Sequence, residues 1–447
     1  MKTGREAAFK VLLKIEKSKT YSDLALKDYF KDSALPANEK ALSFGIVLGV
    51  LDRRFTLDYI LSKYLTKPLM KLDTRVLTLL RMGAYQILFM DRIPDFAAIN
   101  ETVKLASVSG LSFAKGLVNA VLRKVALREP LDISKDEDPI KFYSISCSYP
   151  EWLVKHFIDS YGEENAEGIM KASLQPGETV CCANPLKTNR DELLKALTEK
   201  GIEAVPDSRL DDAFYIKGAV NLSELSEFND GLFHVQDISS QLCALSTGAK
   251  EGETVIDVCA APGGKSIRIA QLMNNKGRII SCDIHPHKLN IIESYAKRMG
   301  VDIITVLERD ATDRNLVIDG ESFQGKADRV LCDVPCSGLG VIRGKPEIKY
   351  KSEDEIRELP KIQSAILKAS AGLVNKGGTL VYSTCTLNPA ENEQVCEKFL
   401  AENSDFEAIR PLEGALKGEI EYTMNFLTLL PHIYNTDGFF IAAFRRK

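Results

Sequence analysis

Two cysteines stand in contexts that packing alone does not explain: Asp333-Val334-Pro335-Cys336-Ser337-Gly338 and Ser383-Thr384-Cys385-Thr386. Each follows a short apolar run that reads as a strand, so each thiol falls at a carboxyl-terminal strand edge. Upstream, Asp257-Val258-Cys259-Ala260-Ala261-Pro262-Gly263-Gly264-Lys265 joins a strand to a helix. Its small residues and two glycines let a ligand approach the backbone at a helix start. Acids close the strands around it: Asp283, 26 residues after Asp257, then Asp310 after the third strand and Asp333 after the fourth. Strand ends of one parallel sheet converge on one crevice. In that crevice Asp283 is placed to accept from ribose hydroxyls and Asp310 to take an adenine amino group.

Two guests compete for this site. Gly264-Lys265-Ser266 resembles the tail of a phosphate-binding loop, and Val330-Leu331-Cys332-Asp333 resembles the metal-binding acid of an NTPase. The phosphate loop requires Gly five residues before its second Gly, where this chain has Cys259. A ring of carboxylates also repels an anion and attracts a cation. The expected cofactor is therefore S-adenosylmethionine, whose sulfonium is cationic and which carries no phosphate.

A thiol beside a methyl donor has a specific use. Carbon 5 of a pyrimidine is a weak nucleophile; a thiolate added to carbon 6 makes the ring an enamine with electron density at carbon 5. After methyl transfer a base removes the carbon-5 proton and the thiolate leaves. A free thiol, with a pKa of about 8.5, is mostly protonated at neutral pH. The opening Asn388-Pro389-Ala390-Glu391 predicts a helix after Cys385 whose dipole favours the anion. Asp333, hydrogen-bonded to ring N3, would stabilise the adduct. Residue types alone leave open which thiol attacks.

The chain that must position these groups has 447 residues, 45% hydrophobic and 27% charged, which excludes a largely disordered protein and predicts several domains. No apolar run approaches the length of a membrane span, and the first residues lack a secretory pattern. Ten cysteines without a Cys-x-x-Cys pair, and five scattered histidines, predict no metal site and a reducing, cytoplasmic setting. Cys181-Cys182 reads as core, and Trp152 as an anchor of its helix. Residues 1–130 carry a balance of +9 and the remainder −13, so the first third is the part suited to a polyanion.

The architecture is multidomain. Residues 1–130 read as an all-α bundle, with helical periodicity in Arg5–Ile15, Asn38–Tyr64, Asp73–Met90, Pro94–Ser107 and Phe113–Leu127. Residues 131–144 read as a linker and 145–235 as a small α+β module, with strands at Thr179–Asn184 and Ala213–Ile216 around a helix at Arg190–Lys200. From 236 to 447 strands and helices alternate as in an α/β, Rossmann-like domain. Strands are expected at Thr254–Cys259, Arg278–Asp283, Ile303–Leu307, Asp328–Asp333, Gly378–Thr384, Asn425–Leu430 and Gly438–Phe444. Helices are expected at Lys265–Met273, Lys288–Gly300, Asp354–Val374 and Pro389–Glu402. The last two strands lack a helix-length spacer and predict a terminal antiparallel hairpin.

The stretches 257–265, 333–338 and 383–386, with Asn-Pro-Ala-Glu-Asn-Glu at 388–393, resemble the Nop2/Sun family of RNA 5-methylcytosine methyltransferases. Phe233–Gln241 resembles the family segment ahead of the nucleotide loop, and the helical first third resembles a NusB-like RNA-binding domain. That combination is similar to the bacterial members that methylate a cytosine of 16S ribosomal RNA. The resemblance implies a class I methyltransferase fold and an RRM-like RNA-binding module at about 145–235. It implies Cys385 as the attacking nucleophile, and Cys336 as the cysteine that helps the adduct break down. By the same resemblance Cys259, Ala260, Ala261, Pro262, Gly263, Gly264, Lys265, Asp283, Asp310 and Asp333 are the S-adenosylmethionine contacts. Thr386 replaces an expected serine, and Gly344-Lys345 an expected Arg-His; Arg343 is kept and is the expected RNA phosphate contact. The target is expected to be a loop or flipped cytosine, and the protein a monomer. The alternatives are a P-loop-like NTPase and a non-catalytic RNA-binding or antitermination factor.

Overall fold

Apolar residues at helical spacing fill the first third of the chain, and each such stretch is helical in the computed structural model, which describes residues 3–18, 20–31, 33–218, 220–412, 422 and 425–447. The chain divides into two compact units, Met1–Gln175 with Ile342–Lys351, and Pro176–Val341 with Ser352–Lys447.

In the first unit, helices Gly4–Ser18, Ala37–Asp52, Arg54–Tyr64, Asp95–Val108 and Lys115–Val125 surround Thr74–Phe89. That central helix buries Val76, Leu77, Leu79, Leu80, Met82 and Ala84 all round, as a helix must when neighbours cover every face. Its Arg81 is also buried, and the Asp58 carboxylate accepts both guanidinium edges at 2.7 and 2.8 Å. The expected helix at 38–64 is two, divided at Arg53. Helix Ser22–Phe30 was not evident from periodicity, and the stretch read as a linker becomes helical at Pro139–Ser146, with Asp138 as its cap.

Ile342–Lys351, placed by sequence within the α/β domain, belongs to this helical unit. Lys349 is fully buried there; its ammonium donates to Asp52 Oδ1 at 2.7 Å and to the Asp52 carbonyl at 3.1 Å, and lies 4.3 Å from the centre of the Tyr149 ring. Glu347 accepts the Ser22 N–H at 2.8 Å.

The second unit opens with a four-stranded antiparallel sheet of Thr179–Ala183, Ala204–Pro206, Ala213–Ile216 and Phe233–Val235, in spatial order second, third, first, fourth. Helix Arg190–Glu199 covers it through Leu193 and Leu197. Cys181 and Cys182 lie in its core, as expected. Asn184 Nδ2 donates to the Met299 carbonyl at 2.8 Å and Arg268 pairs with Asp212 at 2.7 Å, which pins this sheet to the α/β part.

The large sheet comprises β1 (Thr254–Asp257), β2 (Arg278–Asp283), β3 (Ile304–Glu308), β4 (Ala327–Asp333), β5 (Val374–Thr384), β6 (Phe406–Ile409), β7 (Leu427–Leu429) and β8 (Phe439–Arg446). The order is β6-β8-β5-β4-β1-β2-β3, with β7 pairing β8. Strands β3 to β5 run parallel in that order, and β8 is antiparallel to β5, β6 and β7. Alternate residues serve two cores: Ile256, Ile280, Val330 and Leu380 face one, and Val255, Ile279, Leu331 and Val381 the other. Burial on both faces explains the unbroken apolar runs. The expected hairpin is present as β7–β8. Strand β6 was not expected; four residues after a polar turn give too short a pattern to read. The helix expected at Asp354–Val374 is a turn at Glu353–Ile356 and then a helix at Leu359–Ala371, because Pro360 fits only in a first turn. Val374 already belongs to β5.

Candidate active site

The carboxyl ends of β1, β4 and β5 are neighbours, because β4 pairs with β1 on one side and β5 on the other. This brings together residues that are far apart in sequence. Gly263 takes φ +107°, a conformation that favours glycine, and starts helix Gly264–Leu272. Lys265, in that first turn, donates to Asp333 Oδ2 at 2.7 Å, and Ser383 Oγ donates to Asp333 Oδ1 at 2.8 Å. Asp333 thus links the glycine turn to the ends of β4 and β5.

Cys336 Sγ lies 3.3 Å from Cys385 Sγ. Of ten cysteines, seven are buried; Cys259, Cys336 and Cys385 are the partly exposed ones, and all three follow strand ends of this sheet. Burial pushes Cys182, Cys243, Cys282 and Cys332 up to about 12. Cys385 is the one thiol shifted downward: the Cys336 thiol hydrogen-bonds to it and Lys265 adds positive potential, against burial and the Asp333 charge. Cys336 rises well above the usual thiol range through the same hydrogen bond and burial. The 3.3 Å contact lets either sulfur donate; with Lys265 near Cys385 and not near Cys336, the positive potential favours the anion at Cys385.

The helix dipole expected to assist Cys385 does not reach it. Asn388–Asn392 forms a turn and the helix begins only at Glu393, beyond the range over which a helix terminus acts. The turn has another job. Glu391 is fully buried and its carboxylate accepts the Ser337 N–H at 2.9 Å, Gln363 Nε2 at 2.8 Å and Asn388 Nδ2 at 2.9 Å. Asn392 accepts Thr384 Oγ1 at 2.6 Å and donates to the Thr386 carbonyl at 2.9 Å. The Thr386 hydroxyl lies 2.6 Å from Ser337 Oγ, so threonine keeps the hydroxyl contact of the expected serine. Sequence reasoning missed Glu391, Asn392 and Gln363 as supports of the two cysteine turns. Asn-Pro-Ala-Glu has the composition of a helix start, and nothing local signals a carboxylate folded inward.

The acids at the other strand ends differ in setting. Asp257 is fully buried; Ser266 Oγ donates to its Oδ2 at 2.7 Å, its Oδ1 has no partner, and burial raises its pKa to about 7. Asp283, also buried, accepts the His285 N–H at 2.9 Å and has Lys288 at 3.9 Å. Asp310 is exposed, and the N–H and hydroxyl of Thr312 hold its pKa down. Arg343 sits in the segment that belongs to the helical unit. His234 is buried against Tyr295 and held neutral, its pKa lowered to about 3 by burial. Among the described residues no cluster of His, Cys, Asp or Glu is placed to hold a metal ion, and no helix is long and apolar enough to cross a membrane.

Comparison with known proteins agrees with this geometry. The family described as 16S rRNA methyltransferase RsmB/F matches residues 244–445, the NusB family residues 2–127, and the RsmF/B-like ferredoxin-like domain residues 149–223. The chain is 40% identical over 447 residues to the probable ribosomal RNA small subunit methyltransferase B of Bacillus subtilis (strain 168), covering 99% of this chain and 98% of that protein. It is 33% identical over 405 residues to the ribosomal RNA small subunit methyltransferase B of Klebsiella pneumoniae, covering 90% and 89%. Among solved structures it is similar to PH0851, with a TM-score of 0.83 and 26% identity across 99% of this chain and 98% of that one. It is also similar to NSun6 from Pyrococcus horikoshii with SFG, with a TM-score of 0.58 and 25% identity across 66% and 98%. With a NusB domain, a ferredoxin-like module and a mixed-sheet methyltransferase domain in one chain, the protein belongs to the RsmB/F family of 16S rRNA methyltransferases.

Proposed function

We propose that this protein methylates carbon 5 of a cytosine in 16S ribosomal RNA, in the cytoplasm, from S-adenosylmethionine. The observation that carries the reading is the Cys336–Cys385 pair, 3.3 Å apart at adjacent strand ends, with one thiol shifted toward the anion and the other away from it.

The donor set suits the cofactor. Carboxylates stand at or just beyond the carboxyl ends of β2, β3 and β4, in Asp283, Asp310 and Asp333, and the one ammonium at the glycine turn, Lys265, is already neutralised by Asp333; such a site favours a cationic, hydroxyl-bearing guest over a phosphate. The turn Cys259–Lys265 would pass along it, Asp283 would hold the ribose and Asp310 the adenine. Bound S-adenosylmethionine supplies an electrophilic methyl group. A relative in the same fold is described with SFG, an analogue of that cofactor.

The residues of this chain then divide the work. Cys385 adds as thiolate to carbon 6 of the cytosine, and the ring's electron pair moves toward carbon 5. As Cys385 adds, ring N3 takes up a proton from solvent and donates the resulting N3–H to the Asp333 carboxylate, and Arg343 contacts an RNA phosphate. After carbon 5 is methylated its proton passes to a water base, and the electron pair of that C–H bond re-forms the ring double bond and expels the Cys385 thiolate. Cys336 assists that last stage, its hydrogen bond stabilising the departing sulfur. The decisive experiment incubates the protein with small-subunit rRNA and tritiated methyl donor, then digests the RNA to nucleosides. Label in 5-methylcytidine is expected; label confined to another nucleoside rejects the reading.

A further inference from the structure

The helical unit carries a surface feature that the chemistry above does not use. The turn between helices Arg54–Tyr64 and Thr74–Phe89 meets the start of Lys115–Val125 around a cavity of about 390 Å³. Its wall includes Leu65, Leu72, Val76, Phe113 and Leu117, and Lys67 and Lys71 line it as well. Apolar side chains here turn toward solvent: Phe113 is 74% exposed, Leu117 40%, and neighbouring Met70 98%. An exposed aromatic beside an apolar recess, rimmed by polar groups, marks a surface that something covers.

Charge identifies the occupant. Residues 63–75 and 113–124 hold Lys63, Lys67, Lys71, Arg75, Lys115, Arg123 and Lys124 against a single acid, Asp73, which Arg75 already binds at 2.6 Å. Lys67, Lys71 and Lys115 are exposed and pair with no carboxylate among the described residues. Cations without partners suit phosphates, and an open aromatic face suits a base; the two together are the signature of a single-stranded nucleic-acid site. A duplex offers its phosphates but keeps its bases stacked, and would leave the recess empty. The cavity lies at the small end of ligand pockets, about 300–1000 Å³, which is room for one nucleotide.

We propose that this recess binds an unpaired nucleotide of the RNA substrate, the base against Phe113 and Leu117 and the flanking phosphates on Lys67 and Lys71. The proposal rests on the reading of the protein as an rRNA methyltransferase and adds an RNA contact on the helical unit to those proposed at the thiols and at Arg343. The site acts on substrate binding and leaves the chemical step alone.

The test uses the full-length protein, with Phe113→Ala and the double variant Lys67→Glu/Lys71→Glu. Binding of a short single-stranded oligoribonucleotide, and of the same sequence as a duplex, is measured against salt. Methyl transfer to small-subunit rRNA is measured in parallel. Phe113→Ala is expected to weaken single-strand binding on the order of tenfold, in line with base–aromatic stacking, and to leave duplex binding unchanged. The double variant is expected to weaken it at least as much and to lower the salt slope by about 1.4, at about 0.7 per phosphate contact. In turnover, KM for rRNA rises and kcat at saturation stays. Both variants binding like wild type would overturn the proposal. So would equal losses on duplex and single strand, or an acidic peptide, rather than RNA, losing its hold on Phe113→Ala. If the wild type transfers no methyl group but the variants still lose single-strand binding, the recess stands and the enzymatic reading fails; normal turnover with unchanged binding in the variants rejects the recess alone.

Discussion

The Glu391 carboxylate receives the main-chain N–H of Ser337 at 2.9 Å across 54 residues of chain, and so ties the turn that carries Cys336 to the turn that follows Cys385. With Gln363 and Asn388 as its other donors, it is the buried post on which both thiols are hung. Glu391→Ala leaves buried N–H groups without an acceptor, at about 1–3 kcal/mol each. Gln363 keeps the Pro335 carbonyl, so two donors are orphaned and the variant is expected to lose about 2–6 kcal/mol in urea denaturation, and to lower single-turnover methyl transfer by more than the stability loss explains, at a temperature where the variant is folded. Unchanged transfer would show that the post does not position the thiols.

The division of roles between the thiols gives opposite mutant phenotypes. Cys336→Ala is expected to accumulate a protein–RNA complex that survives a denaturing gel, because the adduct forms and does not resolve. Cys385→Ala is expected to form none. The reverse pattern would exchange the assignments.

Reactivity with alkylating agents reads the same hydrogen bond without RNA. Cys385 is expected to be alkylated first, with a midpoint below that of an unperturbed thiol, since the Cys336 hydrogen bond lowers it. In Cys336→Ala the donor is gone, and the midpoint moves upward. Mass spectrometry of iodoacetamide-treated protein across pH checks both points; an unshifted midpoint would remove the Cys336 thiol as the cause.

Asp257 predicts a pH dependence of stability. Burial raises its pKa to about 7 in the folded chain, against about 3.9 unfolded, so between these values the folded state holds the extra proton. This contribution to stability is complete below pH ~4 and is lost as pH rises to about 7. At about 1.36 kcal/mol per unit it is on the order of 4 kcal/mol. Asp257→Asn is expected to flatten that part of the curve, measured by denaturant midpoints from pH 4.5 upward, about the lower end of the window. A wild-type curve already flat there would refute it.

In the helical unit, Lys349 is buried on Asp52. Asp52→Ala leaves an ammonium in the interior without its partner and is expected to cost about 3–5 kcal/mol, whereas Lys349→Met, which removes the buried charge itself, costs far less. Thermal unfolding of the two variants separates these outcomes; equal losses would mean packing, not charge, holds the segment.

Local pattern carried much of this architecture. The continuous apolar runs of β1, β2, β4 and β5 marked strands covered on both faces, and Gly263-Gly264 marked the turn ahead of a helix. What escaped were features with no local signature. Four-residue β6 is an edge partner of β8 alone, and its strand character comes from that pairing. Helix Ser22–Phe30 buries only Ser22, Ala25 and Leu26, too narrow a stripe to stand out. The turn Asn388–Asn392 has the composition of a helix start, and becomes a turn because Glu391 and Asn392 find buried partners.

By itself the sequence determined which groups were available: two thiols and four acids at the ends of apolar strands, and a basic helical third. Those follow from residue type and from periodicities that act over a few neighbours. Only the tertiary structure decided that β4 lies between β1 and β5, which sets Cys336 against Cys385, and that Glu391 turns inward to the Ser337 N–H. Spacing along the chain cannot supply these relations, because a hydrogen bond depends on distance in space, and strand order in the sheet is chosen by the burial of whole faces.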